Sequence, residues 1–194
     1  MNELIRGKGA PASKRVLNPM LRISGAKICL LAWVLTLVGC ASSSSSGIEL
    51  TVSRGDATGA YAGTYTGTIS LTSTADVVAL GSATDQRIES VSVAVTHDGL
   101  VFLSVQGVTI TGVVDNAGNW GLQASIDDLR PLLSETNISR LNDAGCAFGA
   151  KAARIQGVIT PPDMTANVSG TLKCKRAEVT VATLATTGTL TASR

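Results

Sequence analysis

Residues Tyr61-Ala62-Gly63-Thr64-Tyr65-Thr66-Gly67-Thr68-Ile69-Ser70-Leu71-Thr72 alternate with a period of two. Tyr61, Gly63, Tyr65, Gly67, Ile69 and Leu71 fall on one face; Ala62, Thr64, Thr66, Thr68, Ser70 and Thr72 fall on the other. Successive side chains of a β-strand point to opposite sides, so the pattern predicts a strand with one inner face and one hydroxyl-rich face to water. Glycines on the inner side predict a sharply bent strand or close backbone approach, as in small barrels.

Working outward, the rhythm recurs. Residues 73–88 read as looser, with a short apolar run Val77–Leu80 and turn residues around Gly81. Val91, Val93 and Val95 then alternate with Ser92, Ala94 and Thr96, which predicts a strand over 89–96. His97-Asp98-Gly99 is a hairpin signal, Leu100–Gln106 returns, and Gly107 permits a bend before Val108–Val114. Asp115-Asn116-Ala117-Gly118-Asn119 is a second hairpin loop. Trp120–Ile126 follows, with Trp120, Leu122, Ala124 and Ile126 on one face. Later strands run from Phe148 or Ala152 to Thr160, ended by Pro161-Pro162-Asp163, and over Val168–Cys174, Glu178–Ala182 and Thr187–Ala192. Val168, Gly170, Leu172 and Cys174 share a face.

Between these strands, residues 127–145 break the alternation. Ser134 can cap a short helix through Leu141, Leu133, Ile138 and Leu141 form a narrow apolar stripe, and Gly145 can end it. Such an insert covers a barrel mouth or buries a sheet edge. The expectation is an all-β fold. An antiparallel up-and-down meander of about eight strands closes into a small barrel with one short helical insert; the alternative is a β-sandwich.

Upstream of the strands the composition changes. Arg6, Lys8, Lys14, Arg15, Arg22 and Lys27 precede an apolar stretch, Ile28 to Val38, shorter than the ~18 residues of a spanning helix. Leu37-Val38-Gly39-Cys40 ends that stretch, and Ser42 to Ser46 follow. This arrangement resembles the lipobox of bacterial lipoproteins. The resemblance implies cleavage between Gly39 and Cys40, diacylglycerol on the Cys40 sulfur, and acylation of the new amine. Residues 1–39 are then a signal peptide, 40–47 the lipidated cysteine with a flexible Ser-rich tether, and 48–194 a single β domain. Ala41, where an Asp favours retention in the inner membrane, implies export to the outer membrane, facing the periplasm. Met20-Leu21-Arg22 would open a signal of ordinary length, so translation is expected to start at Met20. The β domain itself resembles small calycin-like envelope barrels in pattern and size.

Removal of the signal reverses the charge. The whole chain carries 16 basic and 14 acidic residues. Six of the basic residues and one acid precede Cys40, which leaves ten against 13, or −3. Lys173, Lys175 and Arg176 are the densest basic cluster, and no stripe suited to phosphate neutralisation is present, which argues against nucleic acid as a partner. Arg54-Gly55-Asp56 spells an adhesion tripeptide but is read as a turn. Cys29 leaves with the signal and Cys40 takes lipid. Cys146 and Cys174 remain and, in an oxidising envelope, are most simply a disulfide, the alternative being two buried thiols.

Catalytic groupings are sparse. His97 is the one histidine and lies in a hairpin turn. Asp127 and Asp128 are adjacent on the chain, and neighbouring strand residues point to opposite faces, so one of them is expected to cap a loop. Asp115, Asn116 and Asn119 lack the calcium-loop spacing. No cofactor and no metal site is expected. The reading is a non-enzymatic binding or interaction protein, held to the membrane by lipid on Cys40, with an envelope protein or a small apolar ligand as its partner. The alternatives are an envelope hydrolase acting on cell-wall or lipid substrates and a structural or assembly lipoprotein.

Overall fold

A computed structural model of the chain describes residues 42–45, 50–55 and 60–194. Among the described residues there are nine strands: β1 (Ser42–Ser45), β2 (Gly63–Val77), β3 (Gly81–Val95), β4 (Leu100–Val105), β5 (Val108–Val114), β6 (Asn119–Ser125), β7 (Lys151–Thr160), β8 (Asp163–Arg176) and β9 (Val179–Ser193). Each of β2 to β9 pairs antiparallel with the next, and β9 returns to pair with β2. The result is a closed eight-stranded meander barrel, and closure rules out the sandwich.

The alternation that predicts the barrel is visible in its burial. On β2, Tyr65, Ile69 and Leu71 are buried, while Thr64, Thr66 and Thr68 are exposed. Trp120, Leu122, Ala124 and Ile126 are all buried, as are Val168, Leu172 and Cys174. Large side chains from every strand of the barrel fill the interior as one cluster. The outward wall of β2 and β9 carries Thr and Ser rather than the apolar band that a membrane-spanning barrel presents to lipid. Inner-face glycine has the predicted use. A Cβ on Gly67 would lie 2.0 Å from the Thr191 carbonyl oxygen of β9, so the two strands approach as closely as they do only without a side chain there.

Three features depart from the sequence reading. Residues 73–88 are not loose: β2 and β3 form one long hairpin, in register from Gly63↔Val95 to Val77↔Gly81. The inner face of β2 continues as Ser73, Ala75 and Val77, all buried, but with small side chains that give a weak apolar signal. Opposite them, Leu71 pairs with Arg87 and Ser73 with Asp85, so charged residues on β3 mask the period. Second, the two C-terminal strands are one, β9, because Leu184 and Thr186 continue the buried face between them. Third, Ser42–Ser45 are not a free tether: their backbone pairs antiparallel with β8, from Ser42↔Lys175 to Ser45↔Leu172. The pairing of β7 with β8 stops at Gly170, which leaves the Leu172–Lys175 edge of β8 open, and β1 occupies it. The Gly55 N–H donates to the Val114 carbonyl, holding this segment on the barrel; Asp56, and with it the turn read at Arg54-Gly55-Asp56, lies outside the described residues.

The insert between β6 and β7 holds a 3-10 turn (Arg130–Leu132) and helix α1 (Glu135–Asp143). The Ser134 hydroxyl accepts the Asn137 N–H as N-cap, and Gly145 follows the helix with φ +75°. Leu129, Leu132, Leu133, Ile138 and Leu141 join the barrel core, so the insert packs an apolar face far wider than a helix of nine residues alone would present. It meets β2 and β3, whose 15-residue length carries them past the six- and seven-residue β4, β5 and β6. The disulfide Cys146–Cys174 ties the end of the insert to β8, with 5.4 Å between Cα atoms.

Candidate functional site

The strand registers place two hairpin tips at one end of the barrel. Val77 closes β2 against Gly81 of β3 and against Ala182 of β9; the tip of β8 and β9 lies beyond Arg176↔Val179. Helix α1 reaches the same place, since the Arg140 guanidinium donates to the Gly81 carbonyl at 2.8 Å. Between these parts lies a cleft of about 350 Å³. Val77, Val78, Ala79, Leu80, Ala144 and Val181 line it, with Asp143 and Arg176 as its charged members. Val78 is 80% exposed, Leu80 49% and Val179 65%, although each is a large apolar residue. The Val78 N–H bonds the Val181 carbonyl at 3.1 Å, which joins the two tips.

The basic cluster stands beside this cleft. Lys173 and Arg176 are exposed, Cys174 between them is buried, and Lys175 lies 3.8 Å from the Glu178 carboxylate. The β8–β9 turn is held by Ala177 and Glu178, both at positive φ (+47° and +66°), a backbone region that favours Gly or Asn. A second, shallower groove of about 310 Å³ lies on the outer wall, lined by hydroxyls of Thr66, Thr68, Thr191 and Ser193 together with Asp163.

The residues considered for catalysis are not brought together. His97 is exposed in the β3–β4 turn, where its neighbour Asp98 pairs with Arg54 at 2.6 Å. A hydrogen bond from the Thr96 hydroxyl is the strongest influence on Asp98; with Arg54 it outweighs desolvation and holds the carboxyl below the usual range. Asp127 is exposed and 4.0 Å from Arg130. Asp128 instead caps the end of β6: it accepts the Ser125 N–H at 2.7 Å and the Ser125 hydroxyl at 2.8 Å, with Lys151 at 3.2 Å. Partial burial raises its carboxyl, but these donors outweigh burial and its pKa is lowered. The Asp115 carboxylate is taken up by the Ala117 N–H and by the backbone and side-chain nitrogens of Asn119. Among the described residues, no group of three His, Cys, Asp or Glu could hold a metal ion. Gly39 and Cys40 lie outside the described residues.

No family model, curated protein or solved structure matches this chain. The exposed apolar tips are the feature that alternation alone does not reveal. Their signal was the run Val77–Leu80 next to Gly81, where a hairpin turn would ordinarily be polar. Val179 has no such signal, because Ala177-Glu178 is not a recognisable turn sequence.

Proposed function

We propose that this is a lipid-anchored bacterial envelope protein of non-enzymatic binding or interaction type, which acts through the helix-covered end of its barrel. The lipobox-like Leu37-Val38-Gly39-Cys40 supports the anchor. The observation that carries the rest is the cleft between the two hairpin tips, flanked by exposed Val78, Leu80 and Val179. Exposed apolar groups clustered on one part of a polar surface mark an interaction site. The packed interior, where Trp120, Tyr65, Leu103 and Ile155 are each fully buried, favours recognition at this end over a ligand held inside the barrel.

Site-specific photo-crosslinking in living cells tests this. A crosslinker at Leu80 should form adducts that the same group at Val158, at the far end of β7, does not. Equal labelling at the two positions would overturn the assignment of this end as the interacting one.

A further inference from the structure

We propose that the helix-covered end of the barrel docks on the surface of an anionic lipid bilayer, with the tips of β2–β3 and β8–β9 entering the headgroup region. This rests on the reading of Cys40 as acylated and deepens it by assigning the face that meets the membrane.

Three independent features converge on this end. The first is the register of β1. Ser42 pairs with Lys175 and Ser45 with Leu172, so the chain, followed back toward its start, runs toward the β8–β9 tip. Cys40 precedes Ser42 by two residues, a span of at most about 7 Å. Acyl chains on Cys40 would therefore be tethered within that distance of Ser42, whose partner Lys175 adjoins the β8–β9 tip. The second is apolarity. Val78, Leu80 and Val179 are three of the five large hydrophobic residues that are exposed among those described, and they share the two tips, whereas Ile88 and Val158 lie apart on outer strand faces.

The third is charge. The two tips carry Lys173, Lys175 and Arg176 against Asp76 and Glu178, while on α1 Arg140 stands with Glu135 and Asp143. Positive groups outnumber negative ones at the tips themselves, in a domain whose balance after Cys40 is −3. Basic side chains near an anionic leaflet are attracted by its surface potential, and apolar side chains placed at the same depth bury their surface among the acyl chains. The Thr- and Ser-rich wall of β2 and β9 stays in water, so the barrel stands on the membrane and does not enter it.

Tryptophan quenching tests the docking. The processed full-length protein is reconstituted in phosphatidylethanolamine–phosphatidylglycerol vesicles containing brominated lipid, with a tryptophan at Val179, at Leu80 or at Val158. Trp120 is fully buried and supplies a constant background. Co-flotation with the vesicles and the acyl mass on Cys40 are read first. A protein that neither floats nor carries acyl groups would overturn the anchor and the docking with it. For a floating protein, Val179→Trp and Leu80→Trp should be quenched several-fold more than Val158→Trp, with blue-shifted emission. Equal quenching at all three positions in a floating, acylated protein would leave the anchor standing and overturn the docking.

Discussion

Asn137 of α1 donates its side-chain amide to both the hydroxyl (2.9 Å) and the backbone carbonyl (3.2 Å) of Ser73 on β2, residues 64 apart in the chain. Both are buried, so the contact fixes the helix on the inner face of the long hairpin. Removing one partner strands the other away from water. Asn137→Ala should therefore cost about 1–3 kcal/mol in denaturant unfolding. The double variant with Ser73→Ala should cost less than the sum of the two single changes, because the cycle isolates their coupling. Additive costs would mean that the bond does not hold the insert.

The disulfide spans 28 residues and joins the insert to β8. In the chain-entropy model a loop of that size contributes about 3–4 kcal/mol. Replacing Cys146 and Cys174 together by Ala should lower the unfolding free energy by that order, and reducing agent should then have no further effect. If reductant leaves the native protein's stability unchanged, the bond is absent in solution.

Acid stability follows from the carboxylates. Asp98, Asp115 and Asp128 all have folded-state pKa values lowered by the hydrogen bonds and cations around them. A carboxylate with a lowered folded pKa stabilises the fold above its unfolded value, about 3.9, and loses that contribution as pH falls through the folded value. Stability should be flat above about pH 5 and decline below about pH 4. Asp128→Asn should flatten the decline in urea midpoints measured across this range. An unchanged acid slope would show that the Ser125 and Lys151 donors do not act on Asp128 in solution.

Glycine positions differ sharply in what they tolerate. A Cβ on Gly67 would meet the Thr191 carbonyl oxygen at 2.0 Å, whereas one on Gly149 meets nothing within 4 Å. Gly67→Ala should destabilise the barrel by about 1–3 kcal/mol through displaced backbone. Gly149→Ala should be neutral or slightly stabilising, because it narrows the unfolded ensemble. Thermal melts of the two variants compare them directly, and a neutral Gly67→Ala would contradict the close approach of β2 and β9.

The barrel was legible wherever one face carried large apolar residues, as at Ile69 and Leu71 or at Trp120 and Leu122. It was hidden where the buried face was built from Ser73, Ala75 and Thr186, or where Asp85 and Arg87 stood opposite that face. Local chemistry was read well: the Ser134 cap, the His97-Asp98-Gly99 turn and the Asp128 loop cap all have local causes. The tip cleft was not readable, because it depends on registers that bring Val77 opposite Ala182 across 105 residues of chain. The strand at Ser42–Ser45 was equally unreadable, since its cause is the unpaired edge of β8 and not any preference of serine.

Acylation of Cys40 is tested most directly by mass spectrometry of the N-terminal tryptic peptide from the membrane-bound protein. The first basic residue after Cys40 is Arg54, so the peptide runs from residue 40 to residue 54. It should carry a diacylglyceryl thioether and an N-acyl group on Cys40. A peptide with the Gly39–Cys40 bond intact, or with a free Cys40 thiol and amine, would contradict the lipid anchor.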